Sequence, residues 1–495
     1  MQGLSATPLT PPPAELVLAH PASKWNVVRS MLGFVFLLFL VVQVSSTLIF
    51  AGLLDGDFNG TLGPSDPLLT VVGSICLLPC VAGFAFFRRP RLIHVIRAKD
   101  SIFGNTVNLI EPRTVIQTNE RVVVEHHLFR DNSPLQMPTG KQLWWLFLSG
   151  VFFSTFCMLP LLIMGLNLYT GVLFACIAIP ALIVGFSTPV FAWWSTSHSY
   201  FGLPTTRRLA EWMLIAGMVS TLPAIVLNSF VSPIIINALG MNTANPSSLG
   251  YGLILILSAP IGEEICKAAA VLALARFIDS PRRGFQIGFT VGLGFALLEN
   301  LGYILSTLML GEETAVVFAF TSLLRAVGSI PGHGVWTAIS GYAIGTYLTE
   351  KKQPLTLPGY GEKRDISDDQ SSHWILVDPN GRVVQQSQEI YSKDGTVPYW
   401  LCVPKEKALQ LPVKPWQALL LAMTLHAFWN GTSWALSLLV AEQNTLGALL
   451  LVLIWSFILI FGLWQFTRYI LPNALSPITL TESHQHDKIK ESTFQ

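Results

Sequence analysis

The sequence predicts an all-α polytopic membrane protein of about ten transmembrane helices, with two small β-rich cytoplasmic inserts. Three observations carry this prediction. Hydrophobic residues make up 51% of the 495-residue chain and charged residues only 12%, against about 25% charged in soluble domains. The apolar residues are bunched into runs of ~20 or more, the length that crosses ~30 Å of hydrocarbon as a helix. Basic residues are confined to alternate loops: 28 of the 30 Lys and Arg lie on one side of the predicted membrane.

The runs fall at about 30–53, 67–87, 142–165, 169–193, 209–238, 249–275, 284–310, 315–349, 415–440 and 446–467. The first follows a Pro-rich tail with Lys24 and Arg29 and is too long for a signal-peptide core, so it reads as a retained anchor. The eighth is too long for one simple span, and Pro331-Gly332 is expected to break it. The basic loops predict a cell-membrane protein with both termini in the cytoplasm. The division that follows is a disordered tail (1–29), a helical hairpin (30–87), a β-rich insert (88–141), a second hairpin (142–208), a helical core (209–349), a second β-rich insert (350–414), C-terminal helices (415–471) and a disordered tail (472–495). Strand-like stretches are Arg121-Val-Val-Val-Glu125 in the first insert and the runs flanking Asp378-Pro-Asn-Gly381 in the second.

A net charge of +1 argues against a nucleic-acid partner. Six cysteines form no disulfide framework; Cys76, Cys80, Cys157, Cys176 and Cys266 sit in apolar runs as small hydrophobes, and Cys402 lies in a polar segment.

Ionisable residues held inside apolar runs mark the chemistry, because a charge at mid-bilayer costs ~2.5–3.5 kcal/mol on insertion scales. Glu263, Glu264, Lys267, Glu299, Arg325, His333 and His426 are so placed. Glu263 and Lys267 are four apart and share a helix face. Adjacent carboxylates in a low dielectric do not both ionise easily, and Lys267 can keep one of them charged. Glycines flank His333 and permit close approach, and His426 stands one turn from Asn430. Acids, imidazoles and an amide at one depth point to bond hydrolysis, with a glutamate activating water and His333, or His426 with Asn430, stabilising the oxyanion. The same residue types allow a second arrangement in which His333, His426 and Glu299 hold zinc with an open position and a glutamate of the pair is the base. An ion- or proton-coupled transporter built on the same buried cluster is the competing class.

Glu263-Glu264-x-x-Lys267, Phe295-x-x-x-Glu299-Asn300, His333 and His426, in that order, resemble the PrsW family of intramembrane proteases, related to the CAAX prenyl endopeptidase and glutamic intramembrane protease group. His426-x-x-x-Asn430 is similar to the last motif of the CAAX branch. The resemblance covers roughly 205–350 and 415–440. It implies a peptidase in which Glu263 and Glu264 activate water, Glu299, His333 and His426 complete the site, and Lys267, Asn300 and Asn430 support it. It implies no cofactor for a glutamic type and zinc for a metallo type. Its implied partners are the lipid bilayer and a membrane-anchored protein, such as a single-pass anti-sigma-factor-like substrate. About 200 residues precede the motif core, and the 350–414 insert separates His333 from His426.

Overall fold

The computed structural model describes residues 16–19, 23–46, 48, 49, 52, 67–88, 92–111, 114–130, 134–164, 187–307, 314–351, 376, 377, 383, 384, 401–440 and 446–475. The chain divides into two units, one of Met1–Gln136, Pro204–Arg208 and Thr356–Lys393, the other of Met137–Leu203, Leu209–Leu355 and Asp394–Gln495.

The first unit contains β1 (Leu16–Ala19), α1 (Asn26–Phe39), α2 (Pro67–Arg88), β2 (Leu92–Glu111) and β3 (Thr114–Arg130). The strands form one antiparallel sheet in the order β1-β2-β3, with Leu16 opposite Ala98 and Leu92 opposite Arg130. Strands therefore occupy the region where β-branched patches predict them, and Val122 of the Val-Val-Val patch is buried. β1 departs from expectation: it lies in the predicted disordered tail. Its Leu-Val-Leu-Ala run is apolar and extended, and it covers the otherwise open edge of β2. Phe34 of α1 packs on Phe84 of α2 at 5.2 Å between ring centroids. Leu376–Val377 and Val383–Val384 pair as two short antiparallel strands, β4 and β5. Most of the second insert, the 472–495 tail after residue 475, and residues 169–186 of the fourth apolar run lie outside the described residues.

The second unit is helical: α3 (Gly140–Met164), α4 (Thr188–Phe201), α5 (Arg207–Val226), α6 (Ser232–Ala238), α7 (Leu249–Leu253), α8 (Ala259–Ala273), α9 (Pro281–Thr307), α10 (Thr314–Leu324), α11 (Ile330–Lys351), α12 (Pro415–Val440) and α13 (Leu446–Ala474). Among the described residues, four of the ten apolar runs coincide with helices long and apolar enough to cross a membrane: Pro67–Ala85, Arg207–Ala238, Pro281–Ile304 and Leu450–Ala474. α9 is the central helix. Its Ile287, Val291, Leu293 and Phe295 are all at most 1% exposed, as expected for a helix apolar on every side.

α9 meets α11 backbone to backbone. A Cβ at Gly284 would strike the Gly341 carbonyl, one at Gly288 the Thr337 carbonyl, and one at Gly292 the His333 carbonyl. Three small residues at four-residue spacing thus let the two axes close to a distance that larger side chains forbid.

Three π-helical turns punctuate the unit, at Leu227–Val231, Ile254–Ser258 and Arg325–Ser329. Each stands two residues ahead of a proline: Pro233, Pro260 and Pro331. Proline has no N–H and its ring crowds the carbonyl one turn back, so the helix widens there by one residue. The N–H groups of Ser232, Ala259 and Ile330 accordingly reach the carbonyls of Leu227, Ile254 and Arg325. The carbonyls left over find side-chain donors. Asn430 Nδ2 donates to the Leu255 carbonyl at 3.3 Å, Trp193 Nε1 to that of Ala326 at 2.7 Å, and Trp464 Nε1 to that of Val327 at 3.1 Å. The eighth apolar run therefore breaks at Arg325–Ser329 and not at Pro331-Gly332 itself. The proline displaces the hydrogen bonds of the turn preceding it and remains inside the next helix.

Candidate active site

Three helices deliver the polar residues to one place. α8 begins one turn before Glu263, where Pro260, which has no N–H, follows the widened turn Ile254–Ser258. From there Glu263, Glu264 and Lys267 all point inward, at 7%, 1% and 0% exposure. His333 stands one turn into α11 and His426 midway along α12, both buried.

Lys267 is the hub. Its Nζ donates to Glu264 Oε1 at 2.8 Å, to Glu263 Oε2 at 3.4 Å and to His333 Nδ1 at 2.8 Å, and it lies 4.0 Å from the centroid of the Phe295 ring. An ammonium with two carboxylates and an aromatic face around it has its charge balanced without water. Because an ammonium only donates, His333 Nδ1 accepts and the imidazole proton belongs on Nε2. That nitrogen faces Glu299 Oε2 at 2.5 Å, a close contact lying off the hydrogen-bonding axis. Glu299 is held in turn by Arg325 Nη2 at 3.1 Å. Arg325 Nε donates to Asn300 Oδ1, and Asn300 Nδ2 to the Ala296 carbonyl at 2.6 Å.

His426 is held in the same fashion. Its Nδ1 lies 3.1 Å from Glu264 Oε1, and its Nε2 turns toward Glu263 Oε2 at 3.8 Å. The Trp336 indole stacks on the His426 ring at 4.6 Å and 21° and stands edge-on to His333 at 5.3 Å. The two imidazoles are perpendicular, 5.1 Å apart. Each histidine thus has one nitrogen on a carboxylate and the other turned inward, the pattern that fixes a tautomer in metal-ligating histidines.

The expected residues Glu263, Glu264, Lys267, His333 and His426 come together, and Glu299 joins them through His333. Ligand-capable atoms of Glu263, His333 and His426 lie within 4.8 Å of one another; Glu299, the carboxylate expected in that set, contacts His333 Nε2 and Arg325. One carboxylate and two imidazoles with an open fourth position fit zinc. The Lys267 amine covers His333 Nδ1 and must withdraw from it before that nitrogen can ligate. Asn430, expected to support the site, donates its Nδ2 to the Leu255 carbonyl and so props the widened turn ahead of α8.

Sequence reasoning missed Asn228. From the π-helical turn after α5, its Nδ2 donates to Glu263 Oε1 at 3.1 Å. The available signal was an amide in an otherwise apolar run, five residues before a proline. Trp336, one turn past His333 on the same helix, was also missed.

Residues 205–360 match the family model of the PrsW family intramembrane metalloprotease. His426 lies beyond the matched residues. Nothing among the curated proteins or the solved structures matches the chain. The segment that supplies Asn228, Glu263, Glu264, Lys267, Glu299, Arg325 and His333 is thus similar to the intramembrane peptidases of the PrsW family.

Proposed function

We propose that this protein is an intramembrane endopeptidase that hydrolyses peptide bonds of membrane-anchored protein substrates. The observation that carries the reading is the pairing of each imidazole with a carboxylate, His426 with Glu264 and His333 with Glu299, so that both rings present their other nitrogen toward Glu263 and Lys267. A structural ion pair needs no such arrangement; water activation does.

In the glutamic form, Glu263 takes a proton from water as the oxygen adds to the substrate carbonyl carbon. The proton passes to the amine as the C–N bond breaks. Asn228 holds Glu263 Oε1, and Oε2, which accepts one hydrogen bond from Lys267, has a second lone pair for the water. Lys267 supplies positive charge beside the oxyanion. In the metallo form, Glu263, His333 and His426 would hold zinc, which polarises the carbonyl and acidifies water, and Glu264 would act as the base.

The test is cleavage of a panel of single-pass membrane peptides by the purified protein in liposomes, beside Glu264→Gln, with and without a zinc chelator. Cleavage that depends on Glu264 is expected. Cleavage unchanged in both Glu263→Gln and Glu264→Gln would overturn the site.

A further inference from the structure

An apolar groove of about 500 Å³ runs between the turn after α5, α6 and the start of α8. Leu227, Val231, Ile235, Leu257 and Ile261 line it, together with Gly262. We infer that this groove receives the apolar side chains of the substrate segment beside the scissile bond, an assignment that rests on the peptidase reading.

Both walls of the groove lead to the same carboxylate. On one wall Gly262 directly precedes Glu263 in α8. On the other, Leu227 directly precedes Asn228, which donates to Glu263 Oε1 at 3.1 Å. The groove wall is therefore one residue from the proposed general base on α8 and one residue from its Asn228 partner. The lining chemistry selects an apolar occupant. No charged residue lines the groove, and its two hydroxyls, Ser232 and Ser258, bond to each other. Nothing there offers a partner to a phosphate. Ile235 and Leu257 are more than half exposed, so the groove opens sideways, where a substrate in the bilayer arrives without passing through water.

In hydrocarbon an apolar side chain gains nothing by merely leaving lipid, and close packing is what remains to hold it. Such a groove must discriminate by volume. Gly262 has room for little more: a Cβ there would meet Leu227 Cδ1 at 3.4 Å and Asn228 Oδ1 at 3.6 Å, ordinary contacts that a larger side chain would exceed.

The test uses the full chain in liposomes and synthetic single-pass peptides carrying Ala, Leu or Phe next to the cleaved bond. Leu257→Trp, at a position 56% exposed, should raise KM for the Leu and Phe peptides about tenfold and change that for the Ala peptide less than about twofold. Equal effects on all three peptides, or none, would overturn the groove. A second measurement does not need turnover. A benzophenone side chain placed at Leu257 in the Glu264→Gln protein should capture the Leu peptide well above the same probe placed at Phe461, an exposed position on α13. Capture no greater at 257 than at 461 would overturn the inference. Selective capture, with the wild-type protein cleaving none of the peptides, would retain the groove and sink the peptidase reading instead.

Discussion

Lys267 Nζ donates to His333 Nδ1 at 2.8 Å, and this one hydrogen bond decides where the imidazole carries its proton. With Nδ1 accepting, Nε2 must face Glu299 as an N–H. A lysine on α8 thereby sets the state of a histidine on α11, and it does so while donating to two carboxylates on its own helix.

Lys267→Met should therefore do more than remove a contact. It leaves Glu263 and Glu264 buried without their cation, a loss of about 3–5 kcal/mol for a broken buried pair. The expected outcome is an inactive protein with a clearly lowered unfolding temperature in detergent. Unchanged thermal stability would show that another group balances the two carboxylates.

Asn228→Ala removes the donor that fixes Glu263 Oε1 while leaving the groove walls in place. A positioning role predicts that kcat falls about tenfold or more with KM little changed, since a group that acts only on the reacting geometry does not contribute to uniform binding. Asn228→Asp keeps the shape but sets a second carboxylate against Glu263, and it should be at least as impaired. A rise in KM alone would assign Asn228 to substrate contact.

Asn430 and Pro260 form a pair that a double-mutant cycle can expose. Asn430→Ala leaves the Leu255 carbonyl without its donor, at a cost of about 1–3 kcal/mol. Pro260→Ala restores a backbone N–H in that turn, so the double variant should be more stable than the sum of the two single effects. Strict additivity in thermal unfolding would mean that the amide does not serve that carbonyl.

These residues also mark how far the sequence could be read. The Glu263–Lys267 contact was legible because four-residue spacing on a helix admits one geometry. The convergence of His333 and His426 was legible because intramembrane polar groups must find one another. The strands of the first insert followed from local alternation. That Glu263 also stands within reach of both histidines was not legible: it depends on how α8 packs against α11 and α12, which spacing along one helix does not reveal. Asn430 could not be read as a backbone prop because periodicity alone does not reveal a π-helical turn. β1 was hidden for a related reason, since four apolar residues in a Pro-rich tail become a strand only when an open sheet edge is at hand.

Metal removal separates the two forms of the chemistry. If dialysis against a chelator abolishes cleavage and zinc restores it, then Glu263→Gln and His426→Ala should lose bound zinc by elemental analysis. Glu299→Gln should keep it, because its carboxylate serves Arg325 and the outer nitrogen of His333. Zinc loss in Glu299→Gln with retention in Glu263→Gln would exchange the two carboxylates' roles.

Cys402 lies away from this cluster, and burial pushes its thiol up from the ordinary value, with Arg468 opposing. A raised value leaves the neutral thiol dominant through pH 7–8, and the reactive thiolate grows in only at more alkaline pH. Maleimide should label Cys402 slowly near neutrality and faster as pH rises, and Cys402→Ser should leave cleavage unchanged. Rapid labelling at pH 7 would show an exposed thiol.

The glycine seam between α9 and α11 has a mechanical consequence. With Gly284, Gly288 and Gly292 seated on the opposing backbone, the two helices have no compressible side-chain layer between them, and they must travel as a single stiff bar. Glu299 and His333 ride on that bar and keep their spacing through any breathing of the bundle. The compliant parts are the widened turns ahead of α6 and α8, whose hydrogen bonds are already irregular. An arriving chain should bend the protein there, as a hinge on the Glu263 side, with the His333 side serving as the fixed jaw.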